Sequence, residues 1–155
     1  MRRVVGRSGG VEIELRDDPP TPEAFAALFA TTGWDADGRV DAVAAEAALH
    51  HTWFAVSACV DGRLVGMGRI IGDGVLHGLL ADIVVDPAYQ SLGIGSRIVE
   101  RLVGECRRQG IADVQLFAAR GRRSFYERLG FAARADDAPG MELVDPRAID
   151  AHRAG

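Results

Sequence analysis

The 155-residue sequence predicts one domain of mixed α/β (α+β) class, a mostly antiparallel sheet with flanking helices. Two hairpin signals predict the antiparallel part. Asp61-Gly62 and Gly72-Asp73-Gly74 each separate two apolar β-type runs, and tight hairpin turns favour such pairs because they need φ > 0. A change of period predicts the rest. Residues 94–109 carry apolar side chains at helical spacing, and this helix lies between the run 75–85 and the run 112–118. Strand, helix, strand implies that those two runs pair in parallel through a right-handed crossover.

Taken in order, residues 1–10 carry arginines but no apolar pattern and read as a loose tail. Val11 to Arg16 alternates apolar and polar, as a half-buried strand does. Thr21-Pro22-Glu23 is a helix start: a capping hydroxyl, proline at the first helical position and an acid in the first turn. That helix carries Phe25, Leu28 and Phe29 on one face and stops near Gly33, with Trp34 in the following loop. A second, alanine-rich helix over 40–50 is expected to bury Val43, Ala47 and His50.

Strands 53–60, 63–71 and 75–85 form the meander. The long helix then sets Ile94, Ile98, Val99, Leu102, Val103 and Cys106 inward, with Glu105 able to pair with Arg101 and Arg108 on the outer side. After strand 112–118 and a loop bearing Arg120, Arg122 and Arg123, a short helix over 124–129 ends at Gly130. A last hairpin is expected from 131–134 and 141–144. The domain therefore spans 11–144, and 145–155 reads as a second tail.

Apolar residues at 48% and charged residues at 26% are those of an ordinary folded chain. A net charge of −4 lacks the basic face that nucleic-acid binding uses. All 18 basic residues are arginine, so no lysine Schiff base or P-loop lysine is available. Cys59 and Cys106 lie alone in apolar surroundings without metal-type spacing, which predicts buried free thiols, no metal and a reducing cytoplasm. No apolar run approaches the roughly 18 residues of a membrane span, and the N-terminus has no secretory core. The expected state is a monomer or homodimer.

The chemistry concentrates between residues 79 and 109. A buried strand ends at Asp86-Pro87, and a glycine-bearing loop from Gln90 to Gly95 opens directly into the long helix. The first amides of a helix have no intrahelical acceptor, and with the helix dipole they make an anion site, usually for phosphate. Gly93-x-Gly95 also resembles part of a dinucleotide-binding G-x-G-x-x-G, but Ile98 stands where the third glycine belongs and hairpins precede it.

The run Ile83-x-Val85-x-Pro87-x-x-Gln90-x-x-Gly93-x-Gly95 resembles the acyl-CoA signature of the GCN5-related N-acetyltransferase (GNAT) superfamily. Phe125-Tyr126-Glu127-Arg128-Leu129-Gly130-Phe131 resembles that superfamily's second hallmark, one helix and one strand downstream. The resemblance implies two splayed parallel central strands, with acetyl-CoA as cosubstrate and an amine as acceptor. It places the pyrophosphate on the amides of Gln90, Ser91, Leu92, Gly93, Ile94, Gly95 and Ser96. The pantetheine arm would lie along Ile83, Val84 and Val85, with Arg122 near the phosphates.

One departure is visible: Ser91-Leu92 replaces the usual glycine and basic residue. The resemblance makes Tyr126 the general acid toward the CoA sulfur, since a phenol of pKa about 10 stays protonated at neutral pH. For the base, Asp82 and His77 are the polar groups on the central strand. Simple alternation puts Asp82 on the face opposite Ala81, Ile83 and Val85 unless the strand is bulged, and an arginine such as Arg69 is its competing partner. Phe29 and Trp34 are candidates to line the acceptor pocket. A non-catalytic acyl-CoA-binding module on the same fold is the alternative reading.

Overall fold

A computed structural model of the chain describes residues 3–142. Two compact units divide the chain, residues 1–117 and 118–155. The first holds a six-stranded sheet in the order β1-β2-β3-β4-β5-β6. The strands are β1 (Arg3–Ser8), β2 (Val11–Arg16), β3 (Phe54–Val60), β4 (Arg63–Gly72), β5 (His77–Val85) and β6 (Asp113–Leu116). Neighbours are antiparallel except β5 and β6, which run parallel. The helices of this unit are α1 (Pro22–Ala30), α2 (Ala42–His50) and α3 (Ile94–Gln109).

Local chemistry explains the boundaries. The Thr21 hydroxyl accepts the Ala24 N–H (3.3 Å) at the start of α1, and the Asp41 carboxylate accepts the Ala44 N–H (2.8 Å) at the start of α2. Asp61 and Gly62 have φ of 49° and 78°, the paired left-handed conformation of a tight hairpin. In the β4–β5 turn the Asp73 carboxylate accepts three backbone N–H groups, from Val75, Leu76 and His77.

Two layers cover the sheet. α3 buries Ile94, Ile98, Val99, Leu102 and Cys106. It lies so close that a Cβ at Gly68 of β4 would fall 2.7 Å from Ile98 Cγ2, and one at Gly66 would fall 3.0 Å from Ile94 Cγ2. On the other face Phe25 and Leu28 of α1 and Ala45 of α2 pack on Met67 and Val84.

Several expectations need correction. Residues 3–8 are not a loose tail: they form β1, paired with β2 from Arg3↔Arg16 to Ser8↔Val11. α2 leaves Val43, Ala47 and His50 exposed and buries Ala45 instead. Its alanine-rich sequence gives no sharp apolar stripe, so the buried face was not readable. Arg101 pairs with Asp17 of the β2–α1 connection rather than with Glu105, which pairs with Arg108.

The second unit contains α4 (Arg123–Glu127), whose Tyr126 ring stands edge-on to Phe125 at 4.9 Å and to Phe131 at 6.1 Å. The expected last hairpin does not form over 131–134 or 141–142, which carry no strand. Its remaining residues and the tail 145–155 lie outside the described residues.

Candidate active site

The loop before α3 is built on left-handed backbone. Ser91 has φ 65° and Gly93, at the helix N-cap, has φ 72°. The first ladder bond runs from the Arg97 N–H to the Gly93 carbonyl (3.1 Å), so the amides of Ile94, Gly95 and Ser96 precede the ladder with no intrahelical acceptor. No side chain caps them, and a Cβ placed on Gly93 would meet no atom within 4 Å. Amide donors without a helical acceptor therefore stand at this helix end, an arrangement that suits an anion.

Leu92, where the resemblance leads one to expect a basic residue, packs under the β1–β2 turn: a Cβ on Gly9 would lie 2.8 Å from its Cδ2. Its role is to brace the loop. Gln90 steadies the same loop from the other side, donating Nε2–H to the Val85 carbonyl (3.2 Å).

β5 leads into this loop with one edge open. β6 pairs only with its first four residues, from His77↔Asp113 to Leu80↔Leu116, so from Ala81 onward that edge has no sheet partner among the described residues. The Asp86 N–H goes to the Val65 carbonyl of β4 (2.8 Å). Bonding direction alternates along an antiparallel strand, so Val84 also bonds toward β4, whereas Ile83 and Val85 turn N–H and C=O to the open edge.

The strand is bulged where Asp82 stands. β4 pairs Met67↔Val84 but Arg69↔Ala81, leaving Gly68 opposite both Asp82 and Ile83. Asp82 takes φ 51° as the extra residue. The bulge breaks the expected alternation. Ile83 lies on the α3 face beside Gly68, and the Asp82 carboxylate reaches the opposite face, that of Ala81 and Arg69.

There Arg69 Nε donates to Asp82 Oδ2 (2.5 Å), with both side chains largely buried. Oδ1 has no hydrogen-bond partner among the described residues. Arg69 Nη1 donates to the Ala48 carbonyl (2.9 Å) and the Thr52 hydroxyl (3.1 Å), and the guanidinium lies 6.0 Å from the centre of the Phe25 ring.

From Phe25 an aromatic row leads outward. Phe29 stacks on Phe25 at 5.8 Å, and Trp34 meets Phe29 edge-on at 5.9 Å and is 54% exposed. Sequence reasoning named Phe29 and Trp34 but missed Phe25, Ala48 and Thr52, which connect them to Asp82. The available signal was Arg69 itself, a charge in the middle of an apolar strand.

His77 is not brought to this place. It sits at the far end of β5, exposed, its Nδ1 2.6 Å from Asp113 Oδ2. In the second unit Tyr126 is half-buried, and burial raises its phenol pKa above the ordinary value against the opposing charge of Arg122. Arg122 precedes α4 and is exposed. Among the described residues no group of three or more His, Cys, Asp or Glu side chains could hold a metal ion, and no helix is long and apolar enough to cross a membrane.

Comparison with known proteins agrees with this geometry. The sequence matches the model of the acetyltransferase (GNAT) family over residues 13–131. It is 35% identical over 121 residues to the chloroplastic GCN5-related N-acetyltransferase 1 of Arabidopsis thaliana, covering 76% of this chain and 59% of that one. It is 38% identical over 104 residues to the chloroplastic serotonin N-acetyltransferase 2 of Oryza sativa, covering 64% and 52%. The chain thus spans little more than half the length of these curated relatives. Among solved structures, a protein of unknown function described as a probable acetyltransferase, from meticillin-resistant Staphylococcus aureus, superposes with a TM-score of 0.73. The two are 29% identical, with 86% of this chain and 99% of that one covered. With two motifs, a sheet of the same fold and a family match across most of its length, the chain belongs to the GNAT acetyltransferase family.

Proposed function

We propose that this chain transfers the acetyl group of acetyl-CoA to a small primary amine by direct attack in a ternary complex. The observation that carries the proposal is the edge of β5 that has no sheet partner among the described residues, running into the α3 amides that precede its hydrogen-bond ladder. Acetyl-CoA supplies the activated thioester. Ile83 and Val85 offer N–H and C=O groups to the pantetheine arm as an added strand would. The amides of Ile94, Gly95 and Ser96 take the pyrophosphate, and the Val85 N–H donates to the thioester carbonyl oxygen as negative charge grows there.

The amine nitrogen bonds to the carbonyl carbon and the C–S bond breaks. The departing sulfur takes its proton from the Tyr126 phenol, a group of pKa about 10 that is protonated at neutral pH and that burial shifts further upward. The proton lost by the amine passes to Oδ1 of Asp82, the carboxylate oxygen not bonded to Arg69, directly or through water. A net charge of −4 attracts cationic amines, and the row Phe25, Phe29, Trp34 offers a surface for an aromatic body. One relative's name specifies serotonin, an amine of that shape.

Calorimetry with acetyl-CoA, followed by thiol release with serotonin, spermidine and glycine as acceptors, tests the reading. Acetyl-CoA binding with fastest turnover on serotonin is expected. Binding without turnover on any amine would favour a non-catalytic module, and absence of binding would overturn the CoA site. Tyr126→Phe should lower kcat by about 100-fold with acetyl-CoA affinity held within about twofold. An unchanged kcat removes Tyr126 as the acid.

A further inference from the structure

We infer that Arg69 is a positioning residue that locks the β5 bulge to the C-terminal end of α2, so that the thioester-facing strand and the acceptor-side helix hold one arrangement. Three kinds of contact meet on this one side chain. Nε holds Asp82, the extra residue of the bulge, and Nη1 holds Ala48 O and Thr52 Oγ1 at the end of α2. The guanidinium lies beside Phe25, the inner member of the aromatic row. Its side chain is only 12% exposed, so these bonds compete little with water.

The geometry at Asp82 needs such a hold. A non-glycine residue at φ 51° is uncommon backbone and persists where its surroundings over-determine it. On the α3 face Ile83 Cδ1 and Ile98 Cγ2 fill the space over Gly68, each 2.7 Å from where a Cβ there would stand, so Ile83 is packed on that face while the Asp82 carboxylate turns to the other. The ion pair therefore fixes the carboxylate's direction and, through the backbone at residues 82–85, the aim of the Ile83 and Val85 amides. Thr52 also donates its hydroxyl to the Ala48 carbonyl (3.0 Å), so the two acceptors of Nη1 form one rigid pair. This role rests on the acetyl-CoA reading only for its consequence, since the lock itself is a property of the free protein.

Amide hydrogen exchange of the full chain, read by NMR, tests it without an acceptor. Arg69→Gln should speed exchange at Val84 and Asp86 and at Leu49 and Thr52 together, by tenfold or more, while Ile98 and Leu102 keep wild-type rates. It should also weaken acetyl-CoA about fivefold by calorimetry. Arg69→Lys, which reaches Asp82 but not all three acceptors, should restore acetyl-CoA affinity and the Val84 and Asp86 rates but not those at Leu49 and Thr52. Unchanged rates at both places, or a uniform rise that includes Ile98 and Leu102, overturns the inference. If Arg69→Gln does not fold, Thr52→Val decides: about threefold faster exchange at Val84 supports the lock, and wild-type exchange there overturns it. Failure of the wild type to bind acetyl-CoA would overturn the proposed function, and the exchange rates would still decide whether Arg69 is the lock.

Discussion

From Gly78 to Leu80, β5 has a neighbour on each edge, β4 on one and β6 on the other; from Ala81 to Val85 it keeps β4, and the other edge has no sheet partner among the described residues. The paired half is regular and carries glycine where the sheet is tightest, Gly78 lying opposite Gly72. The open half holds a bulge, a left-handed aspartate and an ion pair that reaches across to α2. Within one strand, then, the same backbone groups either complete the sheet or stay available to a ligand. The register of β6, which stops at Leu116, decides which.

The largest separation of the two halves should come from Gly72→Ala. A Cβ there would lie 2.2 Å from the His77 carbonyl oxygen, which is backbone and cannot rotate away. A loss of about 3 kcal/mol is expected, seen as a fall in Tm of about 8 °C. The folded fraction should bind acetyl-CoA as the wild type does. A large loss of acetyl-CoA affinity with little change in Tm would break the division between the halves.

Asp82→Asn acts on the open half with the reverse signature. Asparagine keeps an oxygen for Arg69 and tolerates positive φ, so the bulge survives. It cannot take up the amine's proton. kcat should fall about 100-fold, with acetyl-CoA affinity within about threefold and Tm close to wild type. Retention of full kcat would move the base to water or to the acceptor itself.

Ser96→Glu sharpens the comparison at the loop. An acid in the first turn of α3 suits the helix dipole, so Tm should hold or rise slightly. The same carboxylate occupies the proposed pyrophosphate site. Acetyl-CoA should bind about 30-fold more weakly, a cost of about 2 kcal/mol, and added salt should narrow the gap. Undiminished binding would move the phosphates away from the α3 amides.

The meander, the crossover helix and the anion loop were readable because each depends on local chemistry. Asp61-Gly62 demands left-handed backbone, residues 94–109 have one apolar face, and Gly93 stands at the helix start whatever the rest does. β1 was not readable. Val4 and Val5 are adjacent rather than alternating, and the strand exists because β2 offers a free edge. The bulge was half readable: an aspartate in an apolar run marked the place, and alternation set it opposite Ile83 and Val85, where it stands, but also opposite Ala81, whose face the bulge makes it share. Arg69, the competing partner the sequence suggested, is that partner, and the register Arg69↔Ala81 shows that the two charges share a side of the sheet.

The smallest expected effect is at the turn that closes the paired half. The Asp73 carboxylate accepts the N–H groups of Val75 (2.9 Å), Leu76 (2.7 Å) and His77 (3.1 Å). These three donors hold its pKa at about 2, below the ordinary 3.8. A carboxylate whose pKa is lowered by folding stabilises the protein above its unfolded pKa, and that stability is lost as pH falls toward the folded value. The contribution of Asp73 is therefore complete by pH 5 and disappears between about 3.8 and about 2. Thermal melts over that interval should show Asp73→Ala less stable than wild type at pH 5, with the two curves converging near pH 2. A gap in Tm that stays constant from pH 5 to pH 2 would mean that the Asp73 carboxylate contributes through turn geometry alone and not through its charge.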